Sequence, residues 1–313
     1  YPLFPSSELE KVKTILIDKL KRAQEDPHEV AIRLLKNRIY KGHPYAWTFQ
    51  ELIQDIGEID TKKIKELHDQ YLSPANMVLS VVGNFDIDAM VTTLESIFGD
   101  WDAGKVVEVD LQESAYKKKD IDNHMLRDQI VLIMGQPSEI TFGHPDLVPL
   151  KLLNIICFLS GKSRLHTLRE QTGIYYRGTG SFAASPTKEH GYDIVLMLVS
   201  PDRVDEAEKA IKNLIQDIAK QGVSQEELNE ARQIYLKGLI DAMTSDIGLA
   251  QIFCRLDSYN VGFDYYDQAL KNAQSITVDQ LNVLAKKYCR AENMSRIRVG
   301  ALQDELEEAE SEQ

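Results

Sequence analysis

Seven histidines, His28, His43, His68, His124, His144, His166 and His190, are by residue type the groups best suited to binding a metal or moving a proton. Two imidazoles four residues apart on a helix share a face and can hold zinc together. No two of these seven are four apart. His43 and His144 each precede a proline, which places them in loops. Cys157, Cys254 and Cys289 are far apart and form no C-x-x-C pair, so buried free thiols are expected, not a zinc ribbon or a disulfide framework. Gly178-Thr179-Gly180 is followed by neither a lysine nor a helix start and is no phosphate loop. Lys117-Lys118-Lys119 is a short solvated charge run. One pair of donors remains: LREQTGIYY carries Arg169 and Tyr176, seven apart across Gly173. On an alternating strand Tyr175 and Arg177 point away from the face that Tyr176 occupies.

The chain that must position these residues repeats itself. IDTKKIKELHDQYLSPANMVLSVVGN at 59–84 matches ITVDQLNVLAKKYCRAENMSRIRVGA at 276–301 without a gap, an offset of 217. Upstream, Leu9, Leu20, Ala31 and Tyr40 fall on Leu228, Leu239, Ala250 and Tyr259, an offset of 219. The pattern is that of an internal duplication. The second copy has a long lead-in, roughly 126–223, that has no counterpart before Leu9, so the first unit is expected to be truncated at its front.

Periodicity predicts a helix following Ser7, then helices at Val30–Tyr40, Thr48–Ile56, Thr61–Tyr71 and Ile87–Phe98, with a β-rich run at Asn76–Val82. Gly104 to about Asp122 reads as an interdomain linker plus an edge strand. Copy two predicts a strand at Gln129–Met134 and helices at Leu147–Phe158 and Ser163–Gln171. Strands near Ile174–Phe182 and Tyr192–Val199 follow, then long helices at 203–220 and 225–243 and a last strand at Met294–Val299. Ser295, Ile297 and Val299 share one face of that strand and Arg296 and Arg298 the other, which is expected to be wet. The fold class is α+β: two repeated units of largely antiparallel sheet with helices on one face. The units are expected at 1–112 and 113–304, with an acidic tail at 305–313.

A net charge of −13 would repel phosphate backbones and anionic membranes, so nucleic acid is an unsuitable partner. No apolar run reaches membrane-spanning length. Tyr1 is not an initiator methionine, so the want of a signal peptide says nothing of compartment.

FPSSELEKVKTILIDKLKRAQEDPHEVA, His43-Pro44-Tyr45, YLSPANMVLSVVGNFD and SGKSRLHTLREQTGIYY, in this order and spacing, resemble the insulinase/pitrilysin-like zinc metallopeptidases over essentially the whole chain. The resemblance implies repeated α+β units that face each other around a chamber for unfolded peptide. It implies chemistry by an inverted H-x-x-E-H motif plus a glutamate from a later helix. The chain contains no H-x-x-E-H, and in the family that motif lies in the front segment of the first repeat. Aligned through ILIDKLKRAQEDP, the glutamate position falls on Lys19, whose ammonium cannot ligate a cation. Asp18 is the alternative ligand if the register shifts by one, although it points about 100° around the helix. Copy two has Gly238 there.

The family's noncatalytic half shows the same L-R-x-x-x-G-x-x-Y pattern that gives Arg169 and Tyr176. There the pair holds the substrate carbonyl and stabilises the oxyanion, a role suited to a fixed guanidinium and a phenol donor. The leading expectation is a non-catalytic, zinc-free portion of such a peptidase, with no cofactor of its own. It would form half of a peptide-binding chamber and work with a catalytic unit, in cis or in trans, that carries the zinc. Two alternatives stand: a structural or assembly subunit with no part in proteolysis, and a fragment of an active zinc endopeptidase whose H-x-x-E-H lies upstream of residue 1. An unpaired sheet edge would also invite a homodimer. Similar proteins are common in the bacterial periplasm or on membrane-associated exteriors; the residues themselves fix no compartment.

Overall fold

The computed structural model describes residues 2–107 and 116–301. The acidic tail expected at 305–313 and the middle of the linker lie outside them. The chain opens with α1 (Ser6–Gln24) and α2 (Pro27–Ile39), broken at Asp26-Pro27. Asp26 accepts from the amides of His28 and Glu29 at 2.8 and 3.4 Å, and a proline at the first helical position has no N–H to satisfy. Then come α3 (Phe49–Glu58), α4 (Thr61–Tyr71) and α5 (Ile87–Phe98). The second half contributes β1 (Ile121–His124), β2 (Ile130–Pro137), α6 (Leu147–Asn154), α7 (Arg164–Thr172), β3 (Arg177–Ala184) and β4 (Tyr192–Val199). Helices α8 (Val204–Gln221), α9 (Gln225–Ala242), α10 (Asp246–Ser258), α11 (Tyr265–Ser275) and α12 (Val278–Tyr288) lead to β5 (Ser295–Gly300).

The sequence repeat reappears in these bounds. Both ends of α10 lie 219 residues after those of α2, and both ends of α12 lie 217 after those of α4. Yet the compact units do not follow chain order. Helices α1, α3, α4, α5 and α10 gather in one unit, and α2 gathers with the five strands and the remaining helices in the other. The helices that correspond by sequence, α2 and α10, are therefore exchanged. A boundary at 112/113 stands as a proposal for the junction of the repeats along the chain.

The sheet runs β1-β5-β2-β4-β3, with β1 parallel to β5 and every other pair antiparallel. Central β2 is buried on both faces, which is why IVLIM is a continuous apolar run instead of an alternation. One face packs on α2: Val131, Ile133, Leu196, Ile297 and Val299 form a core with Ala31, Leu35 and Ile39. On the other face α8 lies against β2 and β4, and α6 against β3. The layer of helices expected from the sequence is thus joined by α2 on the second face. The arginine side of β5 is a charge network, not open water. Arg296 bonds Asp122 of β1 and approaches Glu208 of α8 at 3.6 Å, and Arg298 bonds Asp205 and Glu208.

Asn76–Val82, expected as a strand, carries no ladder: Asn76 closes a short 3-10 turn, and Leu79 is 62% exposed. Its counterpart β5 pairs with β1 and β2; among the described residues nothing offers 76–82 such partners. Helices α1, α4 and α5 bury no residue at all, so their unit displays apolar surface that includes Ile87, Ile97 and Ile247. No helix among the described residues is long and apolar enough to cross a membrane.

Candidate functional site

Arg169 and Tyr176 are brought together where α7 turns into β3. Ser163 caps α7 by accepting from the amide of His166 at 3.3 Å. Arg164 fixes the first turn by a forked bond to Glu227, at 2.8 and 2.9 Å, and a 2.6 Å bond to the Gly222 carbonyl. The helix ends at Gly173, whose φ of 57° is left-handed and whose N–H returns to the Arg169 carbonyl at 2.8 Å. Arg203 donates to the Thr172 and Gly173 carbonyls at 3.3 and 3.1 Å and ties down that end.

The strict alternation expected from Ile174 onward does not hold, because β3 begins only at Arg177 and Arg177 is exposed together with Tyr176. Ile174 and Tyr175 are buried, and Tyr176 is 69% exposed. The Tyr175 hydroxyl donates to the Leu165 carbonyl at 2.6 Å, and burial pushes its pKa up to about 12, so it stays a neutral donor. The Tyr176 N–H joins the Leu198 carbonyl of β4 at 2.8 Å. This backbone leaves the phenol of Tyr176 and the guanidinium of Arg169 facing one open hollow of about 560 Å³, with His166, Glu170 and Gln129 at its walls. Neither functional group is held by a described side chain, whereas His166 and Glu170 pair with each other at 3.3 Å. Two free donors beside one hollow can grip a carbonyl oxygen or an oxyanion.

The glycines of β3 serve this corner. A Cβ at Gly178 would come within 2.8 Å of the Tyr175 ring, and one at Gly180 within 2.7 Å of the Phe158 ring. Gly180→Ala should therefore cost about 1–3 kcal/mol, because the buried Phe158 must move; a urea melt with unchanged slope and a lower midpoint would show it.

The other candidates fall out as follows. Asp18 and Lys19 lie exposed on α1, in the unit that lacks the sheet. Among the described residues no three His, Cys, Asp or Glu side chains converge as a metal site. His43 and His144 are turn caps, each accepting a backbone amide at 3.0 Å. Cys157 and Cys289 are buried free thiols, and Cys254 is half-buried.

Sequence reasoning missed two side chains of the sheet unit. Asn154 of α6 clips β3, and Asp193 of β4 bonds Gln136 of β2 in a buried pair. A lone aspartate inside YDIVLMLV was the visible signal for the second.

The model of the peptidase M16 inactive domain matches residues 58–235, more than half of the 313. The chain belongs to the M16 peptidase inactive-domain family. This is the insulinase-like family that the motifs indicated. Among curated M16-like relatives, the chain is 21% identical over 231 residues to the "Uncharacterized zinc protease YmxG" of Bacillus subtilis, covering 74% of this chain and 55% of that one. It is 23% identical over 238 residues to the "Non-peptidase homolog YmxG" of Helicobacter pylori, covering 75% and 54%. The chain thus spans little more than half the length of these relatives. Its fold is that of the peptidase M16 inactive domain from Pseudomonas fluorescens, with a TM-score of 0.86, 21% identity, and 96% of this chain and 72% of the other covered.

Proposed function

We propose that this chain is the non-catalytic, zinc-free part of an M16 peptide-handling assembly, and that it presents Arg169 and Tyr176 to the backbone of an unfolded peptide. The observation that carries the reading is the pair itself: two exposed donors on one hollow, set by a capped helix end and a strand start, in a domain of the inactive class. Zinc belongs to a catalytic unit, in cis or in trans. Lys19 at the third-ligand position, the want of an H-x-x-E-H and the dispersed histidines support this division of labour. The apolar face left on the sheetless unit supports a partner that brings strands to it, either the catalytic unit or a second copy of this chain.

Anisotropy titration of a fluorescein-labelled unfolded casein fragment tests the reading. Arg169→Ala with Tyr176→Phe should weaken binding by about tenfold or more, since a hydrogen bond to a charged group contributes about 1.5–3 kcal/mol. The melting temperature should not move, because both side chains are exposed. Unchanged affinity would favour the structural-subunit alternative. Zinc-dependent hydrolysis of the peptide by the purified chain would overturn the non-catalytic assignment.

A further inference from the structure

A second cavity, of about 430 Å³, opens at the other end of the sheet. Gln136 and Pro137 at the finish of β2 and Asp193 at the start of β4 line it. The Arg169 hollow instead begins at Gln129, before β2, so seven residues of strand, about 20 Å, separate the two. The new cavity is of the size that takes small ligands.

Two buried polar side chains form its floor. Gln136 is 8% exposed and Asp193 4%. The Gln136 amide nitrogen donates to Asp193 Oδ2 at 2.7 Å, and Asp193 Oδ1 accepts the Ala183 N–H at 2.9 Å. A carboxylate can only accept, so this contact fixes the amide's orientation and turns Oε1 away from Asp193. That buried Oε1 has no partner. An unfilled acceptor beside a buried carboxylate asks for a donor with positive charge.

The rim has the opposite character. Lys118, Lys287 and Arg290 line the mouth, offset by Glu139. Lys118 is engaged by the Glu292 carbonyl and Lys287 by Asp146, and no side-chain partner holds the exposed Arg290. Tyr116 and Tyr288 flank the cavity, with hydroxyls already bonded to the Asn293 carbonyl and to Asp146.

We propose that this cavity binds a small zwitterion, with its primary ammonium on Gln136 Oε1 and Asp193 and its carboxylate toward Arg290. A free amino acid and the amino terminus of a short peptide share this chemistry. The cost of keeping Asp193 charged supports the assignment: burial raises its carboxyl to about 6, so at neutral pH the fold carries an anion that it resists.

Calorimetric titration with L-leucine, Leu-Gly-Gly and N-acetyl-L-leucine tests the site. The first or the second should bind and the third should not. A preference for L-leucine identifies a free amino acid, and a preference for Leu-Gly-Gly a peptide terminus. Asp193→Asn should fold, because its amide oxygen still accepts from Ala183 and Gln136 can turn over to accept from the new NH₂. That turn presents donors to the cavity, and binding should be lost. Arg290→Glu, a surface change, should weaken binding about tenfold. Binding of neither amine, equal binding of the acetylated compound, or full binding by the folded Asp193→Asn protein would each overturn the proposal.

Discussion

Leu35→Ala should destabilise the sheet-bearing unit by about 3–5 kcal/mol, near the top of the range for core truncations. Leu35 is fully buried among Val131, Ile133, Ile297 and Val299, on the helix that packs along that face. Its methyls also reach over the backbone of β2. A Cβ placed on Gly135 would stand 2.8 Å from both Leu35 Cδ atoms and 2.7 Å from the Asp193 carbonyl oxygen. Helix and strand are that close only because position 135 lacks a side chain, so neighbours cannot collapse far into the void. Chemical denaturation followed by far-ultraviolet dichroism would measure the loss. A change below about 1 kcal/mol would mean that α2 is not seated as described.

Asn154→Ala should cost about 3 kcal/mol, although only one polar side chain changes. Register slips between Ser181 and Ala184, and Ala183 takes a φ of 53°. At such a bulge the backbone loses its ladder partners, and buried N–H and C=O groups must find others. Asn154 supplies them: its Oδ1 accepts the Phe182 N–H at 2.6 Å, and its Nδ2 donates to the Phe182 carbonyl at 2.9 Å. Truncation strands the Phe182 N–H and leaves its carbonyl only the 3.2 Å bond from the Ser181 hydroxyl; a buried polar group left unmet costs about 1–3 kcal/mol, and the lost packing of the side chain adds to it. Asn154→Asp tests the same point from another side. It can still accept from Phe182 but cannot donate while ionised, and it buries a charge, so it should be no better than alanine at pH 7. A pair of variants within a few tenths of wild type in a urea melt would sink this account of the bulge.

Much of the sheet unit was legible because its signals are local. Tyr192–Val199 is an apolar run bounded by Gly191 and Pro201, and it is β4 to the residue. The helix end at Gly173 was legible for the same reason, but the strict alternation expected after it was not met: Ile174 and Tyr175 are both buried, and Tyr176 and Arg177 both exposed. Where the sequence misled, the deciding contact lay far along the chain. The strand expected at Gln129–Met134 is too short. In the fold Gly135 admits α2 and Gln136 meets Asp193, 57 residues on, so β2 continues to Pro137. Asn76–Val82 has the composition of a strand, but a strand is made by its neighbours. The donor pair of the candidate site could be listed from sequence; that both donors stand free beside one hollow could not, because freedom depends on what every other side chain leaves untouched.

The exchange of α2 and α10 bears on how a gene for such a protein can be divided. A cut between the repeats would give a downstream product without Ala31, Leu35 and Ile39, and the row from Val131 to Val299 would meet solvent. Each repeat keeps its own sequence signature but relies on a segment encoded by the other. Splitting this polypeptide into two separately translated subunits would therefore have to move that helix with its sheet, or else make the two products obligate companions from the moment of synthesis.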